Sequence, residues 1–142
     1  MSRTKSFALL AALSLLGGCA SGLNSHQKAE LAHFEARGLG VEEKNPGTAA
    51  ALGLLPGGGS FYSRAYGYGV VNLLFWPLSI LWDPVSGYDA ASSLNYHATR
   101  ANVDRQQEAA MQELDERLQS GEIDLTQYTL QKRQIAKRFT YN

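Results

Sequence analysis

Apolar residues follow three different patterns along the chain, and together they predict a mainly α-helical protein. The first pattern is a leader, in which Phe7 to Leu16 is apolar except for Ser14. The second is a block over residues 48–88 that combines apolar runs with glycines, prolines and aromatic residues. The third covers residues 89–142, where apolar residues recur at helical spacing among polar ones.

The third pattern predicts a C-terminal helical hairpin over residues 89–142. Its first helix is expected from about Ala90 to Leu118, and Gly121 ends it. The apolar residues that mark its buried face are Met111, Leu114 and Leu118. Asp124 is a suitable N-cap for the second helix, and Gln127, three residues later, completes a capping-box pattern.

The leader has the order of features that marks a secretory signal peptide. Arg3 and Lys5 precede the apolar run, and two glycines follow it, directly before Cys19. The run is too short to span a bilayer, which takes about 20 residues. The alternative is that the segment simply ends a hydrophobic helix. The order of all four features favours a signal peptide over residues 1–18.

The segment Leu16-Gly17-Gly18-Cys19 resembles the lipobox of bacterial lipoproteins. The resemblance implies cleavage between Gly18 and Cys19. It also implies a diacylglyceryl group on the Cys19 sulfur and a further acyl chain, such as palmitate, on the freed amine. Because two or more acyl chains hold a protein on a membrane stably, Cys19 would be a lasting anchor. Ala20, in place of aspartate, implies sorting to the outer membrane, on its periplasmic face.

Residues 19–47 are expected to form a lipid-anchored tether that contains one short helix. His26 to Arg37 is predicted to be helical, because Asn24 offers an N-cap and Gly38 is a natural stop. Asn45-Pro46-Gly47 then predicts a turn before the apolar block begins.

The block over residues 48–88 predicts two short apolar helices joined by a glycine-rich bend. Gly57–Gly59 interrupt the first apolar run. The second run, Val70 to Trp82, is apolar except for Asn72 and Ser79. The glycines would allow close approach of the backbone at the bend.

This outline resembles a bacterial family of two-helix transmembrane hairpins. The residues that carry the resemblance are Gly57-Gly58-Gly59, Phe61-Tyr62, Gly69 and Trp82-Asp83. The chain departs from that family in two places. Ala49 to Leu55 is too short to cross a bilayer, and Pro77 interrupts the second run.

The sequence leaves three placements of this block open. Its tryptophans and tyrosines are the side chains that prefer the headgroup level of a membrane. Its longer apolar run is of a length more typical of interfacial or buried segments than of spanning ones. We favour a monotopic hairpin packed on the leaflet beside the lipid anchor. The alternatives are a protein core covered by the C-terminal helices and a two-pass transmembrane hairpin.

Gln112 to Ala136 resembles the bacterial short C-terminal domain. The resemblance rests on Leu114, Leu118, Gly121, Ile123, Tyr128, Lys132 and Ile135. Its most specific part is the Gly121-Glu122-Ile123 turn. The resemblance implies self-association, or docking to a protein partner, through residues 89–142. A merely structural helical hairpin is the alternative.

Composition and charge narrow the possible functions further. Removal of Arg3 and Lys5 with the leader lowers the basic count from 13 to 11, against 13 acidic residues. The mature chain therefore has no basic surplus for phosphate contacts, and we expect no nucleic-acid partner. Once Cys19, the only cysteine, is acylated, no thiol remains for a disulfide, a metal or a nucleophile.

No catalytic, metal or cofactor site is predicted. The three histidines lack partners at metal-ligand spacing, and the serines lack a nucleophile-elbow context. The triple glycine lacks the Lys-Ser/Thr pair of a phosphate loop. Arg64 is the unusual charge of the apolar block, and we expect it to form an ion pair with Asp83 or to contact a lipid phosphate. Asp83 is otherwise expected to cap a helix or form a turn.

The sequence therefore predicts a lipid-anchored cell-envelope protein with a structural or protein-interaction role at the membrane. Membrane lipid is its first expected partner, and a protein partner or a second copy is the next. An enzyme is not expected, and the only prosthetic chemistry is the covalent lipid on Cys19. The alternative is a small lipid- or ligand-binding module, with the aromatic residues and Arg64 lining a cleft.

Overall fold

The computed structural model describes residues 22–141, and the predictions for the signal peptide, the cleavage site and Cys19 lie outside these residues. The described chain is mainly helical and contains no strand, in agreement with the predicted fold class. Its elements are α1 (Ser25–Ala36), α2 (Pro46–Leu52), α3 (Gly58–Tyr62), α4 (Tyr66–Leu74), a 3₁₀ helix (Leu78–Leu81), α5 (Asp83–Gln119) and α6 (Leu125–Phe139).

The first helix, α1, begins and ends at the local signals that predict it. The Asn24 side chain accepts the backbone N–H of Gln27, and the Gln27 side chain accepts the N–H of Asn24 in return. This capping box satisfies two N–H groups that otherwise lack helical partners. Gly38 follows the helix with a φ of +71°, a conformation that glycine adopts without strain.

The long helix α5 starts earlier than predicted, at Asp83 instead of about Ala90. Pro84 lies in the first turn of α5, where its missing N–H removes no helical bond. Gly87 likewise lies inside the helix. With 37 residues, α5 is about 55 Å long and runs through both the apolar block and the C-terminal hairpin.

Small residues let α2 and α3 pack closely against the start of α5. Ala49 is fully buried, and so is the backbone around Gly59. A Cβ added to Gly87 would lie 2.9 Å from the backbone of Gly59 and 3.0 Å from the carbonyl oxygen of Ala49. Glycine at position 87 is therefore explained by helix contact, not by a turn.

The apolar block does not form the predicted pair of helices. Residues 48–88 are divided among α2, α3, α4, the 3₁₀ helix and the first turns of α5. Pro77 interrupts the second run as expected, because α4 ends at Leu74. With nine residues, α4 is about 14 Å long, against about 30 Å for the hydrocarbon core of a bilayer.

A second packing region lies at the middle of α5, where α1 and α6 meet it. The buried side chains of this core are Phe34, Leu39, Val103 and Phe139. The Arg37 side chain donates to the carbonyl oxygens of Lys137 and Arg138, at 2.8 and 3.0 Å. These bonds supply partners for two of the last carbonyls of α6. This core therefore holds α1, near the start of the described chain, and α6, near its end, against the middle of α5.

The buried carboxylate of Glu30 connects α1 to α5. It accepts hydrogen bonds from the Tyr96 hydroxyl, at 2.8 Å, and from Arg100. Burial raises the pKa of Glu30, but the hydrogen bonds from Tyr96 and Arg100 and the Arg100 charge outweigh burial, so its pKa lies below the usual value. Glu30 is therefore ionised and paired in the folded protein at neutral pH.

At the C-terminal end, α5 and α6 are joined by a short turn. Asp124 and Gln127 make a reciprocal capping box at the start of α6. Gly121, with a φ of +76°, lies in the turn between α5 and α6. The Tyr128 hydroxyl donates to the Asp115 carboxylate at 2.8 Å, which fixes the register of the two helices.

Candidate membrane-binding surface

Large exposed apolar side chains are concentrated in one part of the described chain. Fourteen of the sixteen such residues belong to residues 54–88, on α4, the 3₁₀ helix and the segments beside them. We call these fourteen the apolar surface: Leu54, Leu55, Tyr66, Val70, Val71, Leu73, Leu74, Phe75, Trp76, Leu78, Leu81, Trp82, Val85 and Tyr88. The segment 65–82 contains no charged residue. Exposed patches of this kind mark protein or membrane contacts.

Polarity is inverted in α4 and the 3₁₀ helix. The two polar residues of the run, Asn72 and Ser79, are fully buried. By contrast, Leu74 is 75% exposed and Leu81 is 80% exposed. A helix on a water-exposed surface normally turns its apolar face inward. The opposite arrangement fits an apolar environment outside the protein.

A buried polar cluster lies beneath the apolar surface and is centred on Asp83. One oxygen of the Asp83 carboxylate accepts from the Ser60 hydroxyl and from the Asn72 amide, both at 2.5 Å. The Asn72 side-chain oxygen in turn accepts the indole N–H of Trp82 at 2.7 Å. The cluster joins α3, α4 and the start of α5 by hydrogen bonds.

Two more polar atoms in this region complete the description of the cluster. The second oxygen of Asp83 and the Ser79 hydroxyl are buried without a hydrogen-bond partner in the described chain. Within residues 22–141 no imidazole takes part in the cluster: the rings of His26 and His33 pack against Tyr141, and that of His97 packs against Tyr96. The Ser60 hydroxyl donates to the Asp83 carboxylate.

The predicted ion pair between Arg64 and Asp83 is not formed. Arg64 follows α3 with a φ of +60° and donates to the carboxylate of Glu43 at 3.0 Å. Asp83 instead turns inward to Ser60 and Asn72. The pairing prediction is wrong because polar residues inside the apolar block supply the partners of Asp83. The predicted contact of Arg64 with a lipid phosphate stays a prediction.

The apolar surface is exposed instead of covered. The aromatic residues Tyr66 and Trp76 are more than half exposed. The large apolar side chains of the block are likewise not buried under α5 and α6. The alternative of a protein core covered by the C-terminal helices is therefore wrong.

The apolar surface lies close to where the described chain begins. A Cβ added to Gly22 would lie 2.6 Å from the side-chain carboxylate of Asp89, so Gly22 packs directly on α5. Asp89 follows Tyr88 of the apolar surface. Only Ala20 and Ser21 lie between Cys19 and Gly22 in the sequence, and three successive Cα–Cα steps span at most about 11 Å. The described chain therefore begins beside the apolar surface.

Sequence reasoning missed the roles of Ser60 and Asn72. The signal for Asn72 was present, because Asn72 is one of only two polar residues in the otherwise apolar run from Val70 to Trp82. A polar residue within such a run can indicate a polar partner inside the fold, as Asp83 and Trp82 are for Asn72.

No helix within residues 22–141 has both the length and the apolar character needed to cross a membrane. Comparison with known proteins found no matching family model, no matching curated protein and no matching solved structure.

Proposed function

We propose that this protein is a lipid-anchored component of the bacterial cell envelope with a structural or protein-interaction role. Acyl chains on Cys19 and the apolar surface hold it on the membrane, with the outer membrane, periplasmic face, as its location. Residues 89–142 then present their helices to a partner. The observation that carries the proposal is the exposed apolar surface, which lies over a polar interior and beside Gly22, where the described chain begins.

A membrane explains this surface better than an aqueous setting does. Burial of a large apolar side chain stabilises by about 1.5–3 kcal/mol, and the apolar surface has many such side chains exposed. Tryptophan and tyrosine at its edge suit the headgroup level, where the ring is apolar and the N–H or O–H stays hydrated. The hydrogen bonds around Asp83 hold the helices together without drawing these side chains inward.

The length of α5 separates the two ends of the molecule. Thirty residues of helix, or about 45 Å, lie between Asp89, beside the anchor, and Gln119, at the hairpin turn. A protein held at the first end would present the second end well away from the lipid. This separation supports a role in which the hairpin reaches a protein partner.

The anchor is tested by intact-mass analysis of the protein purified from its own envelope. We expect a chain that begins at Cys19 and carries diacylglyceryl and N-acyl groups. In a Cys19→Ser variant, we expect the leader to remain and no acyl mass to appear. A wild-type species that begins at Met1, or one with a free thiol at residue 19, contradicts the proposal.

The interaction role needs a variant that spares the core. Deletion of residues 112–142 is unsuitable, because it also removes Phe139 from its contact with Phe34 and Val103. The double variant Leu125→Asp/Leu130→Asp changes only exposed residues of α6. In cross-linking of intact cells, we expect it to lose cross-linked products while staying in the membrane fraction. A Lys28→Asp variant on exposed α1 is the control, and equal loss in both contradicts the interaction role.

A further inference from the structure

Six consecutive exposed residues span the end of α4 and the start of the 3₁₀ helix. We call them the apolar turn, and they are Leu73, Leu74, Phe75, Trp76, Pro77 and Leu78. All except Pro77 are large apolar residues that are more than half exposed. Because the run is longer than one helical turn of about 3.6 residues, no side of it is covered by the rest of the described chain. The apolar turn therefore projects from the protein.

The backbone of the apolar turn satisfies its own hydrogen-bond donors. From residue 75 to residue 80, every N–H group donates to a carbonyl oxygen of residues 71–77, at 2.8 to 3.4 Å. Pro77, in the middle of this segment, has no N–H group to satisfy. An N–H group left without an acceptor in hydrocarbon costs several kcal/mol, which normally keeps irregular backbone out of the bilayer core. The donors of this turn avoid that cost, although the backbone is not a continuous α-helix.

Helix α4 has no exposed side that is suited to water. A helix that lies flat on a membrane carries a charged or polar face toward the solvent. By contrast, α4 contains no charged residue, and its one amide side chain, Asn72, is fully buried. Its exposed apolar residues include two adjacent pairs, Val70-Val71 and Leu73-Leu74, and adjacent residues of a helix point about 100° apart. The exposed sides of α4 are therefore apolar over a wide arc, as expected for a helix with lipid around it.

We propose that the apolar turn enters the acyl-chain layer of one leaflet, with α4 crossing that layer instead of lying on its surface. The inference rests on the proposed function, because it requires the apolar surface to face a membrane. The dimensions agree: α4 is about 14 Å long, and half of the hydrocarbon core of a bilayer is about 15 Å thick. Tyr66, at the start of α4, then lies at the headgroup level that tyrosine prefers, and the charge of Arg64 lies outside the acyl layer.

The depth of individual residues in the membrane tests this inference. The chain that starts at Ala20 contains every described residue and no cysteine, so one introduced cysteine can carry a nitroxide label. Separate variants place the label in the apolar turn (Leu74→Cys or Leu78→Cys), at the start of α4 (Tyr66→Cys) and on α6 (Leu130→Cys). All four positions are more than half exposed, and circular dichroism checks that each labelled chain keeps its helicity.

The labelled chains are bound to vesicles of uncharged phosphatidylcholine. Electron paramagnetic resonance then compares collisions of the label with oxygen, which dissolves in hydrocarbon, and with a water-soluble nickel complex. Labels at residues 74 and 78 are expected inside the acyl layer. The label at residue 66 is expected about 12 Å closer to water than that at residue 74, because eight residues of helix separate them. The label at residue 130 is expected in water.

Equal depths for the labels at residues 66, 74 and 78 would mean that α4 lies flat, and would overturn the inference while leaving the proposed function intact. Failure of the unlabelled chain to bind vesicles would contradict the membrane contact of the proposed function as well.

A second measurement needs no substitution, because the two tryptophans of the chain, Trp76 and Trp82, lie in and beside the apolar turn. Lipids that carry bromine midway along their acyl chains should quench the tryptophan fluorescence of the vesicle-bound chain strongly. Quenching by bromine near the headgroups alone would overturn the inference, even if the labelled variants fail to fold.

Discussion

Removal of two leucines from the apolar surface should greatly weaken membrane binding by the chain without its acyl groups. Leu74 and Leu81 are 75% and 80% exposed, so their truncation to alanine disturbs little packing within the protein. Each substitution removes about three methylene equivalents, and burial is worth about 0.8 kcal/mol per CH₂. Scaled by exposure, each leucine contributes about 2 kcal/mol to transfer from water into lipid.

Together the two substitutions should therefore cost about 4 kcal/mol, a fall of between about 100-fold and 1,000-fold in the partition coefficient. The assay is flotation of the chain that starts at Ala20 with vesicles of uncharged phosphatidylcholine. Use of this chain matters, because a triacylated Cys19 would hold both proteins on the membrane and hide the difference.

The matched control is Leu125→Ala/Leu130→Ala on α6. These leucines are also exposed but lie outside the apolar surface, so their truncation should leave vesicle binding unchanged. Circular dichroism of both double variants checks that helicity is retained. If the two pairs weaken binding equally, or if neither does, the assignment of the membrane contact to residues 54–88 is wrong.

Three further predictions concern stability. The pKa of Glu30 is lowered in the folded state from its ordinary value of 4.5, so the stabilisation that the ionised carboxylate provides is present above that pH. This stabilisation is lost as the pH falls below 4.5 through the folded-state pKa. In urea titrations, the unfolding free energy of Glu30→Gln should therefore change less over this pH range than that of the wild type. Asp83→Ala leaves two buried donors without their acceptor and should lower the unfolding free energy by about 2–4 kcal/mol, measured by urea titration. Gly53→Ala places a Cβ against the backbone at the start of α5 and should destabilise by about 1–3 kcal/mol in thermal melts, whereas Gly47→Ala, with more open space, should not.

Local signals account for the elements that the sequence predicts well. Asn24 and Asp124 are N-caps with a glutamine three residues later, so each helix start depends on neighbours in the chain. Gly38 and Gly121 end their helices through their own backbone conformation. Such features need no knowledge of tertiary packing, and α1 and the C-terminal hairpin were therefore predictable.

The start of α5 was not predictable in the same way. Pro84 and Gly87 are turn residues by local criteria, yet both lie within the helix. Glycine is required at position 87 because the backbones of Ala49 and Gly59 approach it so closely that no larger residue fits. That contact joins residues far apart in sequence, so no local pattern indicates it.

The candidate site was predictable in its apolar character but not in its interior. Composition alone marks residues 48–88 as suited to a membrane surface. The cluster of Ser60, Asn72 and Asp83 depends on how three short helices pack on the start of α5. The same packing leaves Arg64 to pair with Glu43 instead of Asp83. Opposite charges in one apolar block suggested a pair, but neutral polar residues in the same block supplied closer partners for Asp83.

The absence of charge from residues 65–82 has a consequence for how the protein would choose among membranes. Salt screens attraction between charged groups but leaves apolar contact in place. Attachment through this segment should therefore survive washing in concentrated salt and yield only to detergent. A protein held in this way would bind more tightly to membranes whose lipids pack loosely, as at strong curvature. Its affinity would not depend on the charge of the headgroups.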